Sequence, residues 1–155
     1  MYQGMLHLHS VLRWVILILL LVAVYRSLVD KNKSFTAGHR KTGLFLMISA
    51  DVMLLVGIYQ WVTGPIGLKS IQANGMSVVM KDSVLRFFAI EHLIGMIAAI
   101  ILIHIGYSYE KKDVGDTVKH KRAILYYGLA LLIILTFIPW PLREVGEGKV
   151  CLHGW

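Results

Sequence analysis

Four apolar runs, each long enough to cross a bilayer, decide most of what this chain can become. They cover residues 6–29, 42–62, 84–107 and 122–140 and consist mainly of Leu, Ile, Val, Ala, Met and aromatic residues. About 20 such residues in a helix span the hydrocarbon layer. The runs are continuous rather than alternating, and backbone groups in lipid must be satisfied internally, so helices are expected rather than strands. The connections at 30–41 and 109–121 are short and charged, which makes consecutive helices antiparallel. The expected fold is all-α and integral to the membrane: an antiparallel up-down four-helix transmembrane bundle. It forms one transmembrane domain over residues 1–155.

The charge distribution orients this bundle. A net charge of +7 in 155 residues invites a nucleic-acid reading. The basic residues nevertheless cluster in two places. Arg26, Lys31, Lys33, Arg40 and Lys41 fall in or beside the first connection, and Lys111, Lys112, Lys119, Lys121 and Arg122 in or beside the third. That asymmetry is the positive-inside pattern, which puts the first and third connections in the cytoplasm and both termini outside. The basic excess faces anionic lipid and calls for no nucleic-acid partner. The first run lacks a basic leader and a small-residue cleavage site, so it reads as a retained helix rather than a signal.

The connection TGPIGLKSIQANGMSVVMKDS is longer and half apolar. Gly64-Pro65 is expected to end the second helix. Beyond it, Ile66, Leu68, Ile71, Met76, Val78 and Val79 suit either a segment on the membrane surface or over the bundle, or a plain loop with an apolar edge. Cys151 is the single cysteine, so no internal disulfide forms; with His153 it could bind a metal, but the tail reads first as disordered or loosely docked. The seven methionines are scattered as core filler.

Ionisable groups inside a span are expensive and mark functional sites by default. They are His9, Arg13, Asp51, Glu91, His92 and His104. A helix beginning near Tyr2 sets His9 roughly 10 Å along its length, and one beginning near Val84 sets His92 roughly 12 Å along. The first and third helices run the same way and stand diagonally in a bundle of four. The two histidines are therefore expected at matched depth, facing each other, where they would clamp a haem as axial ligands. Gly95 and Ala99 share the face of His92 and would leave room for the porphyrin; the competing reading is close helix packing. Met96, one turn from His92, and His104 are alternative ligands. His104 is rotated about 120° from His92, which favours one haem over two. A second haem would need His104 opposite His39 or His120, and those two read as solvated loop histidines beside Arg40 and Lys121.

Arg13 lies one turn below His9. It suits either a haem propionate or an ion pair with Glu91 or Asp51. His7 points away from the face of His9, and Ser10 reads as a local hydrogen-bonding residue. Asp51, near the middle of its span, suits proton movement, orientation of a histidine, or pairing with Arg13. Phosphate-cradling loops, nucleophile triads and zinc-type clusters are absent from the sequence.

HSVLRW at 9–14, IEHLIGM at 90–96 and the terminal IPWP resemble a family of small four-span membrane proteins of Bacteroidota-type bacteria, usually labelled "cytochrome b". The resemblance spans nearly the whole chain in length and layout, on short motifs of moderate specificity. It brings His9, Arg13, Trp14 and His92 forward as site residues, with Pro139, Trp140 and Pro141 as structural markers. It implies non-covalent haem b, residence in the bacterial inner membrane, and electron transfer near quinone or a periplasmic electron carrier, as a transfer protein or subunit rather than a stand-alone catalyst. Two other readings stand beside it. One is a cofactor-free accessory or scaffold subunit among other membrane subunits. The other is a proton or ion path through Asp51, Glu91 and His92.

Overall fold

The computed structural model describes residues 2–139. The elements are α1 (Tyr2–Val29), α2 (Ala37–Thr63), α3 (Leu68–Asn74), α4 (Met76–Lys81), α5 (Ser83–Lys111) and α6 (Asp116–Phe137). Among the described residues there is no strand. The four long helices α1, α2, α5 and α6 are each apolar and long enough to cross a membrane, and they form the expected all-α bundle. The chain is a multi-pass membrane protein.

Helix ends fall where local chemistry puts them. The N–H of Thr36 donates to His39 Nδ1 at 3.2 Å, so an imidazole takes the place of the usual glutamate in a capping box at the start of α2. Asp82 Oδ1 accepts from the N–H groups of Val84 and Leu85, both at 2.9 Å, and starts α5. Gly64 closes α2, as the Gly-Pro pair predicts. α5 and α6 overrun the apolar runs on the basic-loop side, to Lys111 and from Asp116, because the polar flanks still favour helix. The last helix stops at Phe137, just before Pro139; Trp140 and Pro141 lie outside the described residues.

The half-apolar connection folds over the end of the bundle at which α1 begins. Val79 is fully buried and Ile66 faces the interior, while Met76, Val78 and Met80 point outward. Gly75, with φ of 78°, makes the left-handed corner between α3 and α4 that other residues adopt only under strain.

The long helices pack as a square in which α1 touches α2, α2 touches α5, α5 touches α6 and α6 returns to α1. α1 and α5 are thus diagonal, as expected of an up-down bundle. α1 faces the centre with Ile16, Leu17, Leu20, Ala23 and Ser27, three or four residues apart. Leu46, Ile103, Ala99, Ala130 and Tyr127 meet them from the other helices. Lipid gives little hydrophobic reward for helix contact, so association rests on close fit, which small residues permit. A Cβ at Gly106 would lie 2.7 Å from the Tyr127 ring, whereas one at Gly128 would meet nothing within 4 Å.

Gly106→Ala is therefore expected to destabilise the bundle by roughly 1–3 kcal/mol through overpacking. Gly128→Ala should be neutral or stabilising by up to about 1 kcal/mol, the helix-propensity gain. Reversible unfolding in detergent micelles measures both.

Candidate functional site

The site begins with a break in helix regularity. Residues Phe87–Glu91 of α5 form a π turn, closed by the N–H of His92 donating to the carbonyl of Phe87. Such turns widen the ladder and often sit at functional positions. Trp61 Nε1 donates to the carbonyl of Ala89 at 2.9 Å, tying the turn to α2. Arg86 braces it from outside, donating to Glu91 Oε1 at 2.7 Å and to the Met80 carbonyl at 3.0 Å.

Immediately after the turn, His92 points across the bundle at His9 on α1. Their ring centres are 6.4 Å apart and the planes are inclined by 47°. The sequence predicts this facing pair from helix depth and diagonal placement, and the structure brings the two residues together. His92 Nδ1 lies 2.9 Å from the carbonyl of Phe137 on α6. A carbonyl only accepts, so Nδ1 carries the proton and Nε2 presents its lone pair. Phe87 and Phe88 flank the His92 ring at 5.8 and 6.3 Å.

Both histidines line a largely apolar cavity of about 320 Å³. It extends from Tyr2 and Gln3 to Ile16, which at 1.5 Å per residue is roughly 20 Å of α1. Arg13, Met96, Ala99 and Phe88 share its wall. Gly57 also lines it; a Cβ there would lie 3.8 Å from His9 Cε1, so the glycine leaves space beside that ring. The sequence gives no sign of Gly57, because a glycine within an apolar run carries no chemistry of its own.

The other flagged residues divide. Ala99 is fully buried on the cavity wall, whereas Gly95 lies against the Phe137 ring, where a Cβ would come within 2.6 Å. At Gly95 the close-packing reading describes what is seen. Arg13 approaches Ser10 Oγ at 3.5 Å and sits 5.6 Å from the exposed Trp14 ring. Neither carboxylate considered for Arg13 pairs with it: Glu91 is engaged by Arg86, and Asp51 lies 2.7 Å from His104 Nε2. Asp51, Glu91 and His92 thus have three separate partners. Cys151 and His153 lie outside the described residues.

Two expectations need correction. His39 and His120 are not solvated loop histidines but are buried, with rings 4.9 Å apart and Phe35 about equally close to each. The helices extend past the apolar runs, so these positions lie inside the bundle end rather than in the loops. Beside them, Glu110 is almost fully buried and accepts from the Tyr127 hydroxyl at 2.6 Å. Gly43 makes room for that carboxyl group, since a Cβ there would overlap it. Sequence reasoning misses Glu110 because it stands beside Lys111 and Lys112 and looks like part of a charged loop.

Comparison with protein-family models, with curated proteins and with solved structures finds no match to this chain.

Trp61→Phe keeps the ring but leaves the Ala89 carbonyl without its donor. It is expected to destabilise the fold by about 1–3 kcal/mol. Imidazole nitrogen NMR shifts should register a changed His92 environment; an unaltered spectrum would mean that Trp61 does not position this ring.

Proposed function

We propose that this chain is a b-type cytochrome in which His9 and His92 supply the two axial nitrogens to a single haem. The observation that carries the reading is the facing pair itself. A metal–imidazole bond of about 2 Å on each side, with about 1 Å more from each nitrogen to its ring centre, sets axial rings roughly 6 Å apart. The observed 6.4 Å fits that span. His92 has the ligand tautomer, held by a backbone carbonyl in the manner of metal-bound histidines. Among the described residues no three His, Cys, Asp or Glu side chains are grouped to hold a metal ion. Two imidazoles alone do not fill a metal's coordination shell, so a metal held here would bring further ligands of its own. Haem does so.

Bound haem would supply one-electron chemistry at the iron. The chain's part is to hold and tune it. The carbonyl of Phe137 and the rings of Phe87 and Phe88 fix His92, and the apolar wall excludes water. Arg13, one turn below His9 on the same wall, suits a propionate and adds positive charge. Met96, one turn from His92 on the same wall, is an alternative to His9. The basic loops favour a topology in which the His9 end faces outward, away from the cytoplasm. With the family resemblance, this suggests the bacterial inner membrane and exchange with quinone or a periplasmic carrier, alone or with other membrane subunits.

A cofactor-free scaffold is the second reading, favoured by the local pairing of Arg86 with Glu91 and of Asp51 with His104. Absorption spectra of protein from a haem-sufficient host, before and after dithionite, separate the two. A reduced α-band lost in both His9→Ala and His92→Ala is expected. Folded, colourless wild-type protein would reject the cytochrome reading. Arg13→Gln should lower the midpoint potential by tens of millivolts, since removing a nearby cation disfavours the reduced state.

A further inference from the structure

Asp51 and His104 form an ionisable pair that runs against the solvent of the spans. His104 Nε2 lies 2.7 Å from Asp51 Oδ1, and the side chains remain 44% and 46% exposed on the outer surface of α2 and α5. Asp51 is near the midpoint of α2, where a bilayer offers no water. Ionisable groups at such depth almost always face a bundle interior or a wet cavity. This pair faces neither. Its surroundings on the same faces are Ile48 and Leu55 of α2, and Ile97 and Ile101 of α5, all exposed. α5 also buries the smallest share of its apolar window within the molecule, 22%, against 28–33% for the other spans.

We propose that this face of α2 and α5 is a two-fold interface between two copies of the chain, centred on Asp51 and His104. The hydrogen bond within one copy uses Nε2 of the imidazole and Oδ1 of the carboxylate. Lipid disfavours a net charge at this depth, and as an imidazolium with a carboxylate the pair has none; Nδ1–H is then left as an outward donor and Oδ2 as an outward acceptor. In a two-fold interface each patch meets itself reversed, so the acceptor of one copy comes to the donor of the other. The two pairs then close into a four-membered polar ring, shielded from lipid by the flanking isoleucines and leucines. A different protein would have to bring a matching donor and acceptor; a second copy already has both. Polar side chains of this kind hold membrane helices together and set their register. The inference is independent of whether haem is bound.

The test counts copies in lipid nanodiscs, with helicity by circular dichroism as the folding control. Wild type is expected as a dimer. Asp51→Leu with His104→Leu, which leaves a uniformly apolar face suited to lipid, should be folded and monomeric. Removing the ring should weaken dimerisation by roughly tenfold or more, the scale that two interhelical hydrogen bonds reach in membranes. The decisive arm mixes two differently tagged single variants. Asp51→Leu and His104→Leu chains each lose both cross-pairs when self-associated, but together they retain one, so the mixed dimer should exceed either self-dimer. Monomeric wild type would overturn the proposal, as would a double variant that stays dimeric or a mixture with no preference. A monomeric wild type that binds a lipid-soluble quinone, with the binding lost in the double variant, would overturn it in favour of a small-molecule site.

Discussion

Helices in lipid are held by shape and by a few polar bonds, because the surrounding tails are as apolar as their side chains. Here that constraint makes the two ends of one bundle different. Toward the basic loops, glycines receive large neighbours: Gly106 takes the Tyr127 ring and Gly43 the Glu110 carboxyl group. That end is packed shut. Toward the start of α1, Gly57 faces the edge of His9 across open van der Waals distance, and the square does not close at its centre. The cavity lies between His9, Arg13, Phe88, His92 and Met96, where Gly57 and Ala99 present little or no side chain to fill it.

The same logic explains what could be read from sequence. Length and apolarity fix four helices, short loops fix their antiparallel order, and order makes α1 and α5 diagonal. Depth along each helix is arithmetic, so the meeting of His9 with His92 is legible. Facing is less so. The helical wheel puts Gly95 beside His92, yet it cannot distinguish the ligand side from the α6 side of that face, and Phe137 occupies Gly95. The π turn is also invisible, because no residue type demands it. It shifts the phase of α5 just before His92 and exposes the carbonyl that Trp61 binds. Asp51 stands near the middle of α2, but the sequence does not say which neighbour it meets; adjacency of α2 and α5 does.

Burial at the loop end is the hardest part to read, since charge normally signals solvent. His39, His120 and Glu110 stand among lysines and arginines, yet they turn inward while their neighbours snorkel outward. Lys112 and Arg122 lie over the Tyr109 ring, and Lys119 lies near Phe35, so the cations sheathe aromatic surface and leave the core to the polar minority. A void of about 10 Å³ bordered by Arg26, Ser27, Thr42 and Glu110 is at the lower limit for one water, with enough polar neighbours to hold it.

α5 carries both ends of this contrast. His92 and Glu110 are 18 positions apart on one helix, roughly 27 Å at helical rise. The His92 end offers a lone pair to an apolar cavity, and the Glu110 end is closed by Tyr127, Gly43 and the edge-to-face contact of His39 with His120. On the cytochrome reading, this confines electron exchange to the His92 end, because the far end has neither a facing ligand pair at axial spacing nor an open cavity. His39 and His120, at 4.9 Å, are too close to stand on opposite sides of one haem iron, which needs roughly 6 Å between ring centres. A bundle with one open and one sealed end suits a carrier that loads and unloads on the same face of the membrane.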